Sequence, residues 1–129
     1  AYLNDQYLTS YWADGLIIAT PTGSTGYSLS CGGPVIMPHS KTLALTPIAP
    51  HNLNARPLII PDSTEITLHV SNREGCYLAT YDARSAILPC ETSVKISLAP
   101  FLLKTIELEG NDFFKTLRNK LLWGEDKRN

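Results

Sequence analysis

A short apolar run that passes into a loop of glycine and hydroxyl residues is the feature that most restricts how this chain can fold. Residues 16–19 read Leu-Ile-Ile-Ala, and the β-branched pair favours a buried strand. Pro21 ends the hydrogen bonding of this strand, because proline has no N–H to donate. Residues 22–30 then read Thr-Gly-Ser-Thr-Gly-Tyr-Ser-Leu-Ser, of which residues 27–30 suit one helical turn with free N–H groups at its start. The segment predicts a strand, a loop and a short helical turn, closed by Gly-Gly-Pro at residues 32–34.

The composition of this loop suits a ligand but does not identify one. Gly23 and Gly26 allow a backbone to pass close to a ligand, and the hydroxyls can bond phosphate, ribose or base edges. Three familiar patterns are absent. A P-loop requires a lysine, and residues 1–40 contain none; neither Gly-x-Ser-x-Gly nor the Rossmann Gly-x-Gly-x-x-Gly occurs here. An ordinary connecting loop therefore remains as good an interpretation as a binding loop.

The remainder of the chain shows the period of two that is typical of strands. Residues 2–8 predict a hairpin in which Asn4 and Asp5 form the turn. Residues 43–45 predict a strand that ends before Pro47, and the proline-rich stretch up to residue 61 predicts a rigid surface connection. Later strands are expected within residues 66–70, 77–81, 86–88, 94–98 and 105–108, with a turn at residues 82–84. Eight or more short strands at hairpin spacing predict a mainly β, sandwich-like domain, with a closed barrel as the other architecture of this spacing.

The C-terminal part changes to a helical period. Phe113, Leu117 and Leu121 recur every four residues, and Asp112 is a candidate N-cap. Residues 111–123 are therefore predicted to form an amphipathic helix, followed by a solvated tail at residues 125–129. Its apolar stripe has three candidate partners: the same sandwich, a preceding domain or another subunit.

Size and charge narrow the class of protein. The chain has 129 residues, is 43% hydrophobic and carries a net charge of −1, so we expect one domain and neither nucleic acid nor membrane as a partner. Cys31, Cys76 and Cys90 are odd in number and lack Cys-x-x-Cys spacing, which indicates free thiols in a reducing cytoplasm. The three histidines form no His-x-x-x-His pair, so no metal site is expected.

The first residues predict that sequence precedes them. The chain starts at Ala1 without a methionine, within a hairpin whose first strand is too short to stand alone. We therefore expect upstream residues or a further domain.

Two blocks of this sequence closely resemble the NAD kinases. The first is Asp-Gly-Leu-Ile-Ile-Ala-Thr-Pro-Thr-Gly-Ser-Thr-Gly-Tyr-Ser-Leu-Ser-Cys-Gly-Gly-Pro, residues 14–34. The second is Leu-Thr-Pro-Ile-Ala-Pro-His-Asn-Leu-Asn-Ala-Arg-Pro-Leu, residues 45–58. Both occur in the order of that family, and weaker similarity continues to the C-terminus. The resemblance covers residues 1–129 as the C-terminal, NAD-binding domain of a two-domain kinase.

The resemblance implies an activity that the residues alone do not. NAD kinases transfer a phosphoryl group from ATP, or in some members inorganic polyphosphate, to the adenosine-ribose 2′-hydroxyl of NAD, which gives NADP. A divalent cation such as Mg²⁺ accompanies the donor. The catalytic aspartate, in a Gly-Gly-Asp-Gly motif, and an Asn-Glu pair belong to the N-terminal α/β domain of the family, and neither motif occurs here. We therefore expect no catalytic residue in this chain, which binds NAD or assembles without catalysing.

The resemblance also implies which residues face the dinucleotide. The hydroxyl and aromatic groups after the strand contact the nucleotide, a carboxylate contacts the nicotinamide end, and one alanine supplies backbone groups. Since such groups can come from a neighbouring subunit in this family, a homo-oligomer (dimer or tetramer) is expected. The predicted NAD-binding residues are Asp14, Thr25, Gly26, Tyr27, Ser30 and Ala49, with Thr22 and Arg84 as secondary candidates.

Three positions depart from the family pattern. Gly26 replaces the usual alanine, Trp12 stands where relatives often carry a basic or polar residue, and Arg84 lies near the usual site of a glutamine. Arg84 is a weak candidate for a phosphate contact.

Other interpretations stay open at this point. Asp14 also suits a turn that caps the strand, and Arg56 suits a structural salt bridge as well as a carboxylate or phosphate contact; His51 shares its proline-stiffened loop. For the chain as a whole, the alternatives are a self-standing β-sandwich binding or oligomerisation module and a relative of the lipid or sugar kinases with the same two-domain architecture.

Overall fold

The structure, a computed structural model, describes residues 1–124, so the expected solvated tail at residues 125–129 lies outside it. The chain divides into two units, the first covering residues 1–98 and the second beginning at residue 99. Nine strands, one 3₁₀ turn (Thr22–Thr25) and two α-helices occur in the described residues. The strands are β1 (Tyr2–Leu3), β2 (Gln6–Tyr7), β3 (Gly15–Ala19), β4 (Thr42–Ile48), β5 (Leu58–Pro61), β6 (Ile66–Leu68), β7 (Cys76–Tyr81), β8 (Arg84–Pro89) and β9 (Val94–Ile96), and the helices are α1 (Tyr27–Ser30) and α2 (Phe113–Leu121).

The first unit contains three antiparallel sheets. One has the order β2-β1-β6-β9, a second has the order β3-β4-β5, and β7 pairs with β8 alone. Leu43 and Leu45 of β4, Ile60 of β5 and Ile66 of β6 form one buried cluster, so the first two sheets share a hydrophobic core. The prediction of a mainly β, sandwich-like domain is confirmed.

Strand β4 is buried on both faces. Leu43 and Leu45 point into the core between the sheets, whereas Ala44 belongs to a second buried cluster with Ala19 and Ile36. Successive side chains of a strand point to opposite faces, so one strand can serve two cores. The chain that follows β3 covers the outer face of β4, and this places the glycine- and hydroxyl-rich loop on that face.

The first hairpin forms as predicted. Tyr2 pairs with Tyr7 and Leu3 with Gln6. Asn4 and Asp5 adopt φ angles of 47° and 63°, a conformation that these residue types tolerate in a two-residue turn. The N–H of Asn4 donates to the Glu65 carbonyl, and its side-chain oxygen accepts from the Glu65 N–H, both at 2.9 Å. The turn is thereby joined to the start of β6.

The proline-rich region is more regular than predicted. β4 continues through Pro47, which pairs with Leu16 of β3, and β5 forms between Pro57 and Asp62 where a surface connection was expected. The β4–β5 pairing ends at Leu45, so β4 has only one neighbour at Pro47 and a residue without an N–H is tolerated there. Arg84 also lies in β8 rather than in the turn before it.

The second unit carries helix α2. Asp112 is the N-cap as predicted, because its side chain accepts from the Phe114 N–H at 3.0 Å. The helix ends where Leu122 adopts a φ of 55°, and it is shorter than the predicted range of residues 111–123. The predicted strand at residues 105–108 is wrong, since this stretch has no strand conformation. Within residues 1–124, no helix combines the length and the apolar character needed to cross a membrane.

Candidate functional site

The glycine- and hydroxyl-rich loop presents one polar face outward. Thr22, Thr25 and Gly26 are exposed, as are Tyr27 and Ser30 of α1. Two hydroxyl residues between them, Ser24 and Ser28, are 0% and 1% exposed. The family-implied binding residues of this segment thus share the accessible side, which is the arrangement that ligand contact needs.

The inward hydroxyl of Ser24 fixes the 3₁₀ turn. It donates to the Pro21 carbonyl at 2.6 Å and accepts from the Ile36 N–H at 3.0 Å. One side chain therefore joins the end of β3 to the segment that returns under the loop. A buried hydroxyl that already donates one hydrogen bond and accepts another within the protein is a structural group rather than a ligand contact.

The inward hydroxyl of Ser28 fixes α1 in the same way. Its Oγ lies 2.9 Å from Thr46 Oγ1 on β4, and its carbonyl accepts from the Gly33 N–H at 2.8 Å. Gly33 is buried, and a Cβ there would lie 2.3 Å from Ser28 Oγ. The four-residue interval between Ser24 and Ser28 was visible in the sequence, but its division into buried and exposed hydroxyls was not predicted.

We expect the Ser28–Thr46 pair to stabilise the domain measurably. Thr46→Val keeps the shape of the side chain but leaves Ser28 Oγ buried without its partner, which should cost about 1–2 kcal/mol of unfolding free energy. Urea denaturation of Thr46→Val, Ser28→Ala and the double variant forms a double-mutant cycle, and a coupling of about 1 kcal/mol is expected. Strict additivity of the two single effects would show that the pair contributes nothing.

A second group of predicted residues lies at the other end of β3. Asp14 precedes β3 and Ala49 follows β4, and these two strand ends are adjacent because Gly15 pairs with Ile48. The Asp14 N–H donates to the Ile48 carbonyl at 2.9 Å. Ala49 has a φ of 45°, and neither its N–H nor its carbonyl has a hydrogen-bond partner in the described part of the chain. The structure brings Asp14 and Ala49 together.

His51 joins this second group. Its Nε2 lies 3.6 Å from Asp14 Oδ1, with both side chains exposed, and its N–H donates to the Trp12 carbonyl at 2.8 Å. The sequence singled out His51 only as a polar residue on a stiff loop. Its contact with Asp14 depends on the pairing of β3 with β4, which was not predicted.

The two groups lie at opposite ends of β3, because Asp14 precedes this strand and the 3₁₀ turn Thr22–Thr25 follows it. Helix α1 then returns over β4, where Ser28 contacts Thr46, and Thr46 pairs with Ile17 in the middle of β3. The length of β3 therefore does not set the distance between Asp14 and the residues of α1.

The two arginines considered above occupy different surroundings. Arg84 pairs with Tyr81 at the tip of the β7–β8 hairpin, beside Asp82, whose φ is 51°. Arg56 donates from Nη1 to the carbonyls of Leu53 and Ala55 of its own loop. The salt bridge considered as one alternative for Arg56 does not occur within residues 1–124. A role for Arg84 in binding stays a prediction.

A cleft that the sequence did not predict lies beside the second group. Its volume is about 400 Å³, within the size range of ligand sites. Burial raises the pKa of the Tyr11 hydroxyl, which therefore stays neutral at physiological pH and leaves Arg56 as the charged lining residue. Residues 9–12 and residues from 50 to 58 form its walls, among them Tyr11, Trp12, Asn52, Asn54 and Arg56.

The comparisons with known proteins agree on one family. The model of the ATP-NAD kinase C-terminal domain matches residues 1–108. An NAD kinase of Flavobacterium johnsoniae is 63% identical over 128 residues, which are 99% of this chain and 44% of that protein. An NAD kinase of Porphyromonas gingivalis is 54% identical over 124 residues, or 96% of this chain and 43% of that protein. The chain thus spans less than half the length of these relatives.

Solved structures are similar in fold as well. A yeast NADH kinase complexed with NADH matches 97% of this chain and 37% of that chain, with a TM-score of 0.72 and 25% sequence identity. An NAD kinase from Archaeoglobus fulgidus in complex with ATP matches 74% of this chain and 34% of that chain, with a TM-score of 0.53 and 26% identity.

Proposed function

This chain belongs to the family of ATP-NAD kinase C-terminal domains, and from that premise we propose that it forms the NAD-binding part of an NAD kinase. The complete enzyme would phosphorylate the adenosine-ribose 2′-hydroxyl of NAD, with ATP or inorganic polyphosphate as donor, and so take part in NADP biosynthesis. The observation that carries the proposal is the outward polar face of Thr25, Gly26, Tyr27 and Ser30, held in place by the buried hydroxyls of Ser24 and Ser28.

Each candidate residue has a chemical role in this proposal. The Thr25 and Ser30 hydroxyls hydrogen-bond the nucleotide, Tyr27 offers an aromatic ring, and Gly26 allows close approach of the ligand. Thr22 is a secondary contact at the start of the same exposed face. At the other group, the Asp14 carboxylate accepts from the nicotinamide carboxamide or a ribose hydroxyl. The N–H and carbonyl of Ala49, which have no partner within residues 1–124, would bond the same ligand.

Catalysis is assigned to the rest of the kinase. Phosphoryl transfer needs a group that accepts the proton of the attacking hydroxyl and cations that neutralise the donor phosphates. The Gly-Gly-Asp-Gly motif, whose aspartate is the base that the resemblance implies, does not occur in this sequence. We therefore assign to this chain the binding and orientation of NAD, and to the remainder the base and the Mg²⁺-bound donor.

The family resemblance implies a homo-oligomer, a dimer or a tetramer, in which groups of one copy reach the site of another. A second copy that supplies Asp14 and Ala49, whose backbone N–H and carbonyl have no partner within residues 1–124, would complete one site at the first copy's loop. Ligand binding would then stabilise the assembly. The three cysteines are free in the structure, which is compatible with a location in the cytoplasm.

The test compares the chain with the complete protein that carries it. With ATP, Mg²⁺ and NAD, the complete protein should form NADP, whereas the purified chain should bind NAD in calorimetry without forming NADP. Tyr27→Ala in the complete protein should weaken NAD binding about tenfold, as expected for one lost aromatic contact.

Three results would count against the proposal. A complete protein that forms no NADP would contradict the kinase assignment and leave a binding or oligomerisation module. NADP formed by the chain alone would contradict the assignment of catalysis to the rest of the kinase. Equal affinity for NAD and ADP-ribose would contradict the contact of Asp14 with the nicotinamide end.

A further inference from the structure

The indole of Trp12 is exposed on a main chain that is held by a hydrogen bond. Its side chain is 75% exposed, while its backbone carbonyl accepts the His51 N–H at 2.8 Å. It forms part of the wall of the cleft described above, two residues before Asp14. A large aromatic ring that is fixed at its backbone and open to solvent is a stacking surface for another ring.

The same cleft carries an uncompensated positive charge. Among the residues that the structure describes, Arg56 is the charged residue that lines the cleft, and no carboxylate lines it. Nη1 of Arg56 is directed at two carbonyls of its own loop, but its remaining N–H groups have no partner within residues 1–124. A guanidinium with free donors is suited to a phosphate group. Ring and charge together favour a ligand with an aromatic ring next to phosphate.

We propose that this cleft receives the nicotinamide end of the dinucleotide, with the ring stacked on Trp12 and the pyrophosphate directed to Arg56. The inference rests on the function proposed above and names a residue that sets its specificity. The oxidised nicotinamide ring carries a positive charge and the reduced ring does not. An indole face attracts a cation more strongly than a neutral ring, so Trp12 selects NAD over NADH.

The position of the cleft agrees with the role assigned to Asp14. Asp14 and His51 lie 3.6 Å apart and are close in sequence to the lining residues Trp12 and Pro50, although they do not line the cleft themselves. A carboxylate near the cleft also favours the positively charged form of the ring. The selectivity therefore arises from two neighbouring groups, of which Trp12 makes the direct contact.

The test measures the ratio of two affinities in the complete protein. NAD and NADH are titrated separately by calorimetry into the unaltered protein and into Trp12→Leu, Trp12→Phe and Trp123→Phe. Trp12→Leu should weaken NAD binding about tenfold and NADH binding no more than about threefold. Trp12→Phe should keep part of the preference for NAD over NADH. Trp123→Phe is the control, because it changes the other exposed tryptophan, and it should alter the affinity for neither NAD nor NADH.

Arg56 provides a second, independent readout. Arg56→Gln should weaken NAD and NADH by the same factor, about three- to tenfold, because both ligands carry the same pyrophosphate. Equal weakening of both ligands by Trp12→Leu, or no weakening of either, would overturn the proposal while NADP formation by the unaltered protein still supported the kinase. If the unaltered protein bound neither dinucleotide, the function itself would fail together with this inference.

Discussion

Gly33→Ala is expected to destabilise the domain by about 3 kcal/mol, an effect typical of severe overpacking. The new Cβ would lie 2.3 Å from Ser28 Oγ, 2.7 Å from the Ser28 carbonyl oxygen and 3.0 Å from Thr46 Oγ1. A side chain can rotate away, but the Ser28 carbonyl belongs to α1 and accepts the Gly33 N–H at 2.8 Å. The clash can be relieved only by moving the glycine- and hydroxyl-rich loop away from β4. We therefore expect urea denaturation to show the loss of stability, and calorimetry to show weaker binding of the proposed ligand, NAD.

Gly23→Ala is the matched control for this substitution. Gly23 lies in the same loop, yet an added Cβ would have its nearest neighbours at 3.5 and 3.9 Å, which is ordinary contact. The unfolding free energy of Gly23→Ala should stay within about 0.5 kcal/mol of that of the unaltered protein. A Gly33→Ala protein as stable as Gly23→Ala would show that the loop does not depend on close packing at Gly33.

Leu45→Ala should cost about 2–5 kcal/mol of unfolding free energy, the range for deletion of a fully buried leucine. Leu45 is 0% exposed and pairs with Ile18 of β3 on one side and Leu58 of β5 on the other. Its side chain belongs to the cluster that also contains Ile66 of the other sheet. The cavity would therefore open where the two sheets meet, and the midpoint of urea denaturation should fall accordingly.

Ile59→Ala serves as the comparison for Leu45→Ala. Ile59 occupies the middle of β5, pairs with Ala44 and is 42% exposed. Its truncation removes partly hydrated surface, so the expected cost is below about 1 kcal/mol. If both variants lost equal stability, burial between the sheets could not be the main source of the domain's stability.

Local signals in the sequence predicted those elements that local chemistry determines. The Asn4-Asp5 turn, strand β3 with the helical turn after it and the Asp112 cap each depend on residues close in sequence. The pairing of strands that are distant in sequence was harder to predict. Pro47 is tolerated inside β4 because β5 ends opposite Leu45, a fact about a neighbouring strand. Residues 105–108 alternate as a strand does, but alternation alone does not provide a hydrogen-bonding partner.

The candidate site shows the same division. The family blocks indicated Thr25, Tyr27, Asp14 and the other candidate contacts, and those of the loop are exposed in the structure. Composition alone could not separate the exposed hydroxyls from Ser24 and Ser28, because Ile36 and Thr46, their partners, are distant in sequence. The cleft near Asp14 went unpredicted for the same reason, since its walls combine residues 9–12 with several residues between 50 and 58.

The two buried faces of β4 have a consequence for how this domain can evolve. Most strands of a sandwich have a solvent side on which substitutions accumulate at little cost. Residues 43–47 have none, since all five are buried, with the core between the sheets on one face and the glycine- and hydroxyl-rich loop on the other. A substitution that repairs packing on one face must leave the other undisturbed. Sequence changes in the core and in the candidate site therefore constrain each other through this one segment.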